Sequence, residues 1–249
     1  MTSSVLNGKG VTKFFGGLRA VHDINFDLNE GEILSLIGPN GAGKSTLFNI
    51  ITGYYHPTKG KIEFQSKDIT RLKPYQICRM GIARTFQLVK SFENLTAEEN
   101  IAVGHLFGKN PVRGLRGAKD KGRKLLDFVG LQGSATVPAK SLTLADRRRL
   151  ELGRAMACAP KVLLLDEVMA GLSATETAEA VSLIRRIRKE LGISIFLIEH
   201  VMSAVMDLSD RIMVLNYGQK LAEGSPKEIM ENPRVIEAYL GESSGVGSK

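Results

Sequence analysis

The sequence predicts an α/β fold built on a parallel sheet, and three stretches carry that prediction. Lys161–Glu167, KVLLLDE, and Ile193–His200, ISIFLIEH, are mainly apolar runs that end in polar residues. Strands buried on both faces of a parallel sheet read this way. Between them, Thr175–Leu191 has the periodicity of a helix. Gly31–Gly38, GEILSLIG, is a shorter apolar run ending in glycine, and the following STLFNIITG reads as a helix stopped by Gly53.

The remaining elements are placed on the same criteria. Gly60–Ile69, GKIEFQSKDI, alternates as a half-buried strand should. From about Thr96 to Ala157 the pattern is helical and more charged, interrupted by GKNPVRGLRGAKDKG (Gly108–Gly122), which reads as a loop rich in glycine and basic residues. Arg211–Gly224, RIMVLNYGQKLAEG, reads as a terminal hairpin with Tyr217 and Gly218 near its turn, and the end, GESSGVGSK, as a flexible tail. The α/β alternation is clear in both flanks, so the helical middle reads as an insertion.

Composition sets bounds. A chain of 249 residues, 43% apolar and 24% charged, buries a sizeable core and is not disordered throughout. Its net charge of +8 suits an acidic partner (nucleic acid, an anionic membrane surface, phosphates) or simply a basic surface. Cys78 and Cys158 lack metal-type spacing, which points to a reduced setting. The N-terminus has no secretory apolar core, and no run approaches the ~18 apolar residues of a membrane span. Basic residues over 109–124 read as a solvated face, or as a contact for lipid head groups or an acidic partner surface.

GPNGAGKST matches G-x-x-x-x-G-K-[ST], and it lies between a strand and a helix, the context that makes the match informative. Its residues are Gly38, Pro39, Asn40, Gly41, Ala42, Gly43, Lys44, Ser45 and Thr46. Glycines let backbone N–H groups curl around phosphates, and the helix N-terminus adds partial positive charge. Lys44 is suited to neutralise β- and γ-phosphates, and the Ser45 hydroxyl to ligate Mg²⁺. In VLLLDE, four apolar residues bury a strand and deliver Asp166 to its C-terminal end, where ligands of open α/β sheets bind. Asp166 is the candidate Mg²⁺ residue, and Glu167 the candidate that polarises an attacking water. The site is therefore expected to bind a nucleoside triphosphate with Mg²⁺.

These motifs, followed by LIEHV, resemble the nucleotide-binding subunit of ABC transporters along nearly the whole chain. The resemblance implies a P-loop NTPase core with a parallel sheet, an antiparallel β subdomain and a helical insertion. The core would comprise residues 1–90 and 157–241, the helical subdomain 91–156, and the tail 242–249. It further implies that the nucleotide is ATP and that Phe15 stacks on adenine, with Phe14 as the neighbouring candidate. Gln87, in RTFQLVKSF, would touch Mg²⁺ and water and link to the transmembrane partner, and His200 would contact the γ-phosphate.

Family members carry a leucine-serine-glycine-glycine-glutamine signature that points at the γ-phosphate bound to the opposite subunit. Leu142, Thr143, Leu144, Ala145 and Asp146 occupy those positions here, with Arg149, Arg154 and Ala155 fixing the register. Thr143 keeps a hydroxyl for phosphate. Leu144 and Ala145 replace glycines and add side chains where backbone must approach closely. Asp146 either faces that phosphate or forms a capping box with Thr143. In DEVMAGLSA, Val168 replaces a proline and Ser173 an aspartate of the loop that communicates between sites. Together these departures suggest a weakened or differently tuned composite site.

FGGLRAVHDINFDLNEGE, RTFQLVKSFENLTAEENI and NPRVIEAYLGE resemble the ATP-binding subunit of bacterial branched-chain amino-acid importers. This implies a cytoplasmic motor on the inner face of the plasma membrane. Its partners would be a second, non-identical ATPase subunit, two transmembrane permease subunits and, indirectly, a periplasmic solute-binding protein, with no nucleic acid. Related systems import urea, short-chain amides or aromatic acids, so the solute stays open. The alternatives are a soluble ABC ATPase acting on ribosomes or DNA, and a regulatory module that does not hydrolyse.

Overall fold

A computed structural model describes residues 3–88 and 90–243. The chain forms two compact units, one from residues 1–72 and 194–249 and the other from 73–193.

The first unit opens with two twelve-residue strands, β1 (Ser4–Phe15) and β2 (Leu18–Asn29), paired antiparallel. Then come β3 (Ile33–Ile37), every residue of it buried, and α1 (Lys44–Ile51), which ends at Thr52 just before Gly53. β4 (Lys59–Phe64) pairs with β1 and β5 (Lys67–Asp68) with β4, giving the order β2-β1-β4-β5. The single strand expected over 60–69 is thus a hairpin. Gln65 (φ 47°) and Ser66 (φ 60°) turn it in the left-handed region. Such turns are recognised by Asn-Gly or Asp-Gly, and Gln-Ser carries no such signal.

The second unit begins with α2 (Pro74–Met80) and β6 (Ile82–Arg84), followed by α3 (Ala97–Phe107). α4 (Leu115–Phe128) replaces most of the loop expected over 108–122, leaving only Gly108–Gly114 irregular. Ala118, Gly122 and Leu126 form its buried stripe at a spacing of four. With small residues at two of these positions, the stripe does not look apolar in sequence. The basic residues opposite are partly paired: Lys119 lies 3.2 Å from Glu98 and 3.0 Å from Glu99.

α5 (Leu144–Ala157) packs against α3 at Gly104, where a Cβ would stand 2.4 Å from the Arg154 carbonyl oxygen. That clearance is why two helices approach so closely. β7 (Val162–Asp166), wholly buried, pairs parallel with β6, and α6 (Ala174–Leu191) closes the unit.

The chain then returns to the first unit. β8 (Ser194–Ile198) and, after α7 (Met202–Leu208), β9 (Arg211–Asn216) flank β3 on either side, both parallel to it. β10 (Gln219–Gly224) completes the expected hairpin with β9 across Tyr217 and Gly218. α8 (Pro226–Met230) and α9 (Pro233–Ser243) follow. α9 runs through Ser243, into the start of the stretch read as tail, and residues 244–249 lie outside the described residues. Phe196 of β8 meets Phe26 of β2 at 5.6 Å and Phe48 of α1 at 5.1 Å between ring centroids, all three buried. This aromatic cluster ties the antiparallel sheet, α1 and the parallel strands into one core. Among the described residues no helix is long and apolar enough to cross a membrane.

Candidate functional site

In the first unit, the loop 38–46 joins β3 to α1 and its conformation depends on glycine. Gly38, Gly41 and Gly43 adopt φ of 148°, 77° and 103°. A Cβ at Gly38 would lie 2.1 Å from the Leu215 carbonyl oxygen, and one at Gly43 2.5 Å from that of Ala20. The loop is therefore pressed against β2 and β9, leaving no room for side chains at those two places. Gly43 caps α1 with no side chain, so no side-chain acceptor turns back on the first turn of the helix. The Lys44 ammonium is buried and donates to the carbonyls of Gly38 (2.6 Å) and Pro39 (2.9 Å), fixing a positive charge inside the loop's own curve. Ser45, beside it, is exposed.

His200 belongs to the same unit. β3 and β8 run parallel with Leu36 opposite Ile198, so Gly38 and His200 each stand two residues beyond that pair, past the ends of neighbouring strands. The C-terminal edge of a parallel sheet is where open α/β folds bind ligands. His200 is exposed, while the preceding Glu199 is buried and accepts the His200 backbone N–H at 3.2 Å. Phe15 ends β1, two-fifths exposed at 39%. Its ring meets Tyr55 edge-on at 5.1 Å, and the Lys13 ammonium lies 5.2 Å from its centroid. Phe15, rather than Phe14, is thus the ring held in an aromatic cluster.

In the second unit, Asp166 and Glu167 stand at the C-terminal end of β7. Asp166 is 2% exposed; its Oδ2 accepts from the Arg84 guanidinium at 2.6 Å, and its Oδ1 is buried without a hydrogen-bond partner. Its backbone N–H donates to the Thr85 hydroxyl. Glu167 adopts φ 50°, in the left-handed region that a residue with a side chain occupies only at a cost. The Gln87 side-chain amide donates to the Glu167 carboxylate at 2.9 Å, so two residues eighty positions apart in sequence come into contact. Register explains this: Arg84 of β6 pairs with Leu164 of β7, which carries the segment after β6 alongside the acidic pair. Arg84 and Thr85 were not among the sequence candidates. Their only cue was adjacency to Gln87 in RTFQ.

Thr143 is the N-cap of α5, its hydroxyl accepting from the Asp146 backbone N–H at 3.1 Å. Of the two readings of Asp146, the capping box forms only in this half. The Asp146 carboxylate turns instead to Arg149, 3.5 Å away, which also pairs with Glu179 of α6. Ala145 is buried, so its methyl points into the unit, whereas Leu144 is 45% exposed. Leu144 leans toward Gly171, where an added Cβ would lie 3.2 Å from its Cδ2. Arg147 donates to the carbonyls of Leu142 and Lys140. Arg148 donates to that of Phe86, and so all three arginines are engaged within the protein. Ser173 caps α6 in a reciprocal box with Glu176, a duty an aspartate would share. Burial pushes the Glu151 carboxyl of α5 above its ordinary range, against the opposing pull of the Phe86 N–H, Arg154 and Arg148.

Comparison with known proteins shows the family to which the chain belongs. A family described as ABC transporter matches residues 21–170, and one described as branched-chain amino acid ATP-binding cassette transporter matches residues 219–244. The high-affinity branched-chain amino acid transport ATP-binding protein LivG of Salmonella typhimurium is 44% identical, over 98% of this chain and 100% of its own. BraF of Pseudomonas aeruginosa, of the same description, is 42% identical over the same shares. The crystal structure of the ADP conformation of an ATP-binding cassette of an ABC transporter superposes with TM-score 0.87 at 30% identity, covering 96% of this chain and 100% of that one. A nucleotide-free ATP-binding cassette from an ABC transporter superposes with TM-score 0.84 at 29% identity, covering 95% and 99%.

Proposed function

We propose that this chain, which belongs to the family of ABC transporter ATP-binding cassettes, is the ATP-hydrolysing subunit of an importer of branched-chain amino acids. The observation that carries the solute class is the second family match, over residues 219–244, which favours branched-chain amino acids over urea, amides or aromatic acids. Identity to transport subunits along the whole chain also favours this reading over a soluble ATPase acting on ribosomes or DNA. The protein works on the cytoplasmic face of the plasma membrane, with two permease subunits, a second and non-identical ATPase subunit and, beyond the membrane, a solute-binding protein. Residues 91–156 form the helical subdomain that passes motion to the permease, and residues 1–90 and 157–241 the catalytic core.

Each site residue has a task that its surroundings support. The N–H groups of loop 38–46 and the Lys44 ammonium hold the β- and γ-phosphates. Phe15 offers its ring to adenine. Asp166 suits Mg²⁺, because its buried Oδ1 has no partner in the protein and such ions need only one or two carboxylates beside phosphates and water. Ser45 and Gln87 complete that set. The metal ion, when bound, supplies charge neutralisation of the phosphates. Glu167 polarises the attacking water, and the Gln87 amide fixes the orientation of its carboxylate. His200 steadies the γ-phosphate, and Thr143 offers its hydroxyl to the nucleotide of the opposite subunit.

The test is solute-stimulated ATP hydrolysis by the chain assembled with its membrane subunits in proteoliposomes. Turnover should rise with a branched-chain amino acid and its binding protein. Glu167→Gln should bind ATP yet hydrolyse it at least about a hundredfold more slowly. Normal turnover in that variant would refute the role given to Glu167.

A further inference from the structure

The segment that carries Gln87 is held from both ends by buried polar side chains of the helical region. At its start, Glu151 of α5, 2% exposed, accepts the Phe86 backbone N–H at 3.1 Å. Arg148, one turn earlier on the same helix and 7% exposed, donates to the Phe86 carbonyl at 3.2 Å. One residue thus has both backbone groups gripped by one helix. At its far end, Asn100 of α3, fully buried, accepts the Phe92 N–H and donates to the carbonyls of Phe92, Leu95 and Thr96. The residue directly after Phe86 is Gln87, whose amide reaches Glu167 at 2.9 Å.

Two buried charged side chains on a helix are costly to desolvate and need a compensating purpose or partner. Glu151 has Arg154 3.8 Å away on the same helix and the Lys90 backbone beside it. Yet one oxygen of Glu151 and one nitrogen of Arg148 reach the two backbone groups of a single loop residue, Phe86. α5 begins at Leu144 after its N-cap Thr143, both positions of the signature, so the grip sits one to two turns along the helix that opens there. A contiguous line of bonded groups therefore runs from the signature helix through Arg148 and Glu151 to Phe86, then Gln87, then Glu167.

We infer that Arg148 and Glu151 are positioning residues for hydrolysis, gripping the Phe86 backbone so that the placement of α5 sets where Gln87 holds the Glu167 carboxylate. The inference rests on the roles proposed above for Gln87 and Glu167. It gives Arg148, the middle of the three arginines, a task distinct from phosphate contact: when α5 moves, the catalytic carboxylate is re-aimed. Misplacement of a reacting group by about 1 Å can cost on the order of a hundredfold in rate, so a short bonded line suffices to gate turnover.

The test is steady-state ATP hydrolysis by the assembled transporter with Glu151→Ala, Glu151→Gln, Arg148→Ala and Gln87→Ala, alongside amide hydrogen exchange of the full chain. Glu151→Ala should lower kcat about tenfold with KM for ATP unchanged within about twofold, the pattern of lost positioning rather than lost binding. Glu151→Gln, which keeps an acceptor for the Phe86 N–H, should recover most of the loss. Glu151→Ala combined with Gln87→Ala should be no slower than Gln87→Ala alone, because both act through one group. Phe86 amide exchange should accelerate in Glu151→Ala while α5 amides keep their protection. An unchanged kcat in Glu151→Ala beside a slow Gln87→Ala overturns the inference and leaves the reading of Gln87 intact. A normal Gln87→Ala overturns that reading itself. Unchanged Phe86 protection overturns the grip whatever the kinetics, and if the alanine variants fail to fold, Glu151→Gln and Arg148→Lys carry the same kinetic comparison.

Discussion

Two helix N-termini in this protein are candidates for phosphate, and they are built in opposite ways. α1 opens on Gly43, which has no side chain to turn back on the helix, so no cap competes with a ligand there. α5 opens on Thr143, whose hydroxyl already takes the Asp146 N–H, with Leu144 half-exposed beside it. A helix dipole is present at both ends. What separates them is the availability of the N–H groups and the space in front of them. The first is a site complete in itself, whereas the second is a capped helix end that offers at most a hydroxyl and a few remaining N–H groups.

Loss of the Lys44 charge is the sharpest way to break the comparison. Lys44→Ala should reduce ATP hydrolysis by the assembled transporter by about 10²–10³-fold, the loss expected for one charged stabiliser of a transition state. A comparable loss from any single change at the start of α5 would show that the two ends are equivalent. Gly43→Ala comes next. Its Cβ would meet the Ala20 backbone, and its φ of 103° is unsuited to alanine. Denaturant unfolding should show a loss of about 3 kcal/mol.

At α5 the effects should be smaller. Thr143→Ala removes a side-chain cap and should cost about 1 kcal/mol in the same unfolding assay. Leu144→Gly should raise turnover about threefold, equivalent to about 0.6 kcal/mol, by clearing the approach to the second nucleotide. Ala145→Gly should change it less, since that methyl is already turned inward. Turnover unaltered by Leu144→Gly would mean that the departure from glycine leaves the composite site as it was.

Much of this is legible in the sequence itself. The apolar runs around Val162 and Ile195 are wholly buried strands, because a strand covered on both faces must be apolar at every position. The loop 38–46 announced itself because its chemistry is local: glycines, a lysine and a hydroxyl within nine residues. α4 was obscured because its buried stripe uses alanine and glycine, which do not register as apolar. The half-formed box at Thr143 was likewise not predictable, because the Asp146 carboxylate had a choice between the N-cap backbone and Arg149.

By itself, then, the sequence determined the α/β alternation, the glycine-rich loop 38–46 and the position of the acidic pair, since each depends on residues adjacent along the chain. Only the tertiary structure decided which of these meet within a unit. It brought Gln87 onto Glu167, Arg84 onto Asp166, and Arg148 with Glu151 onto Phe86. Those contacts join residues separated by 62 to 82 positions, and strand register and helix packing, which no local pattern encodes, bring them together.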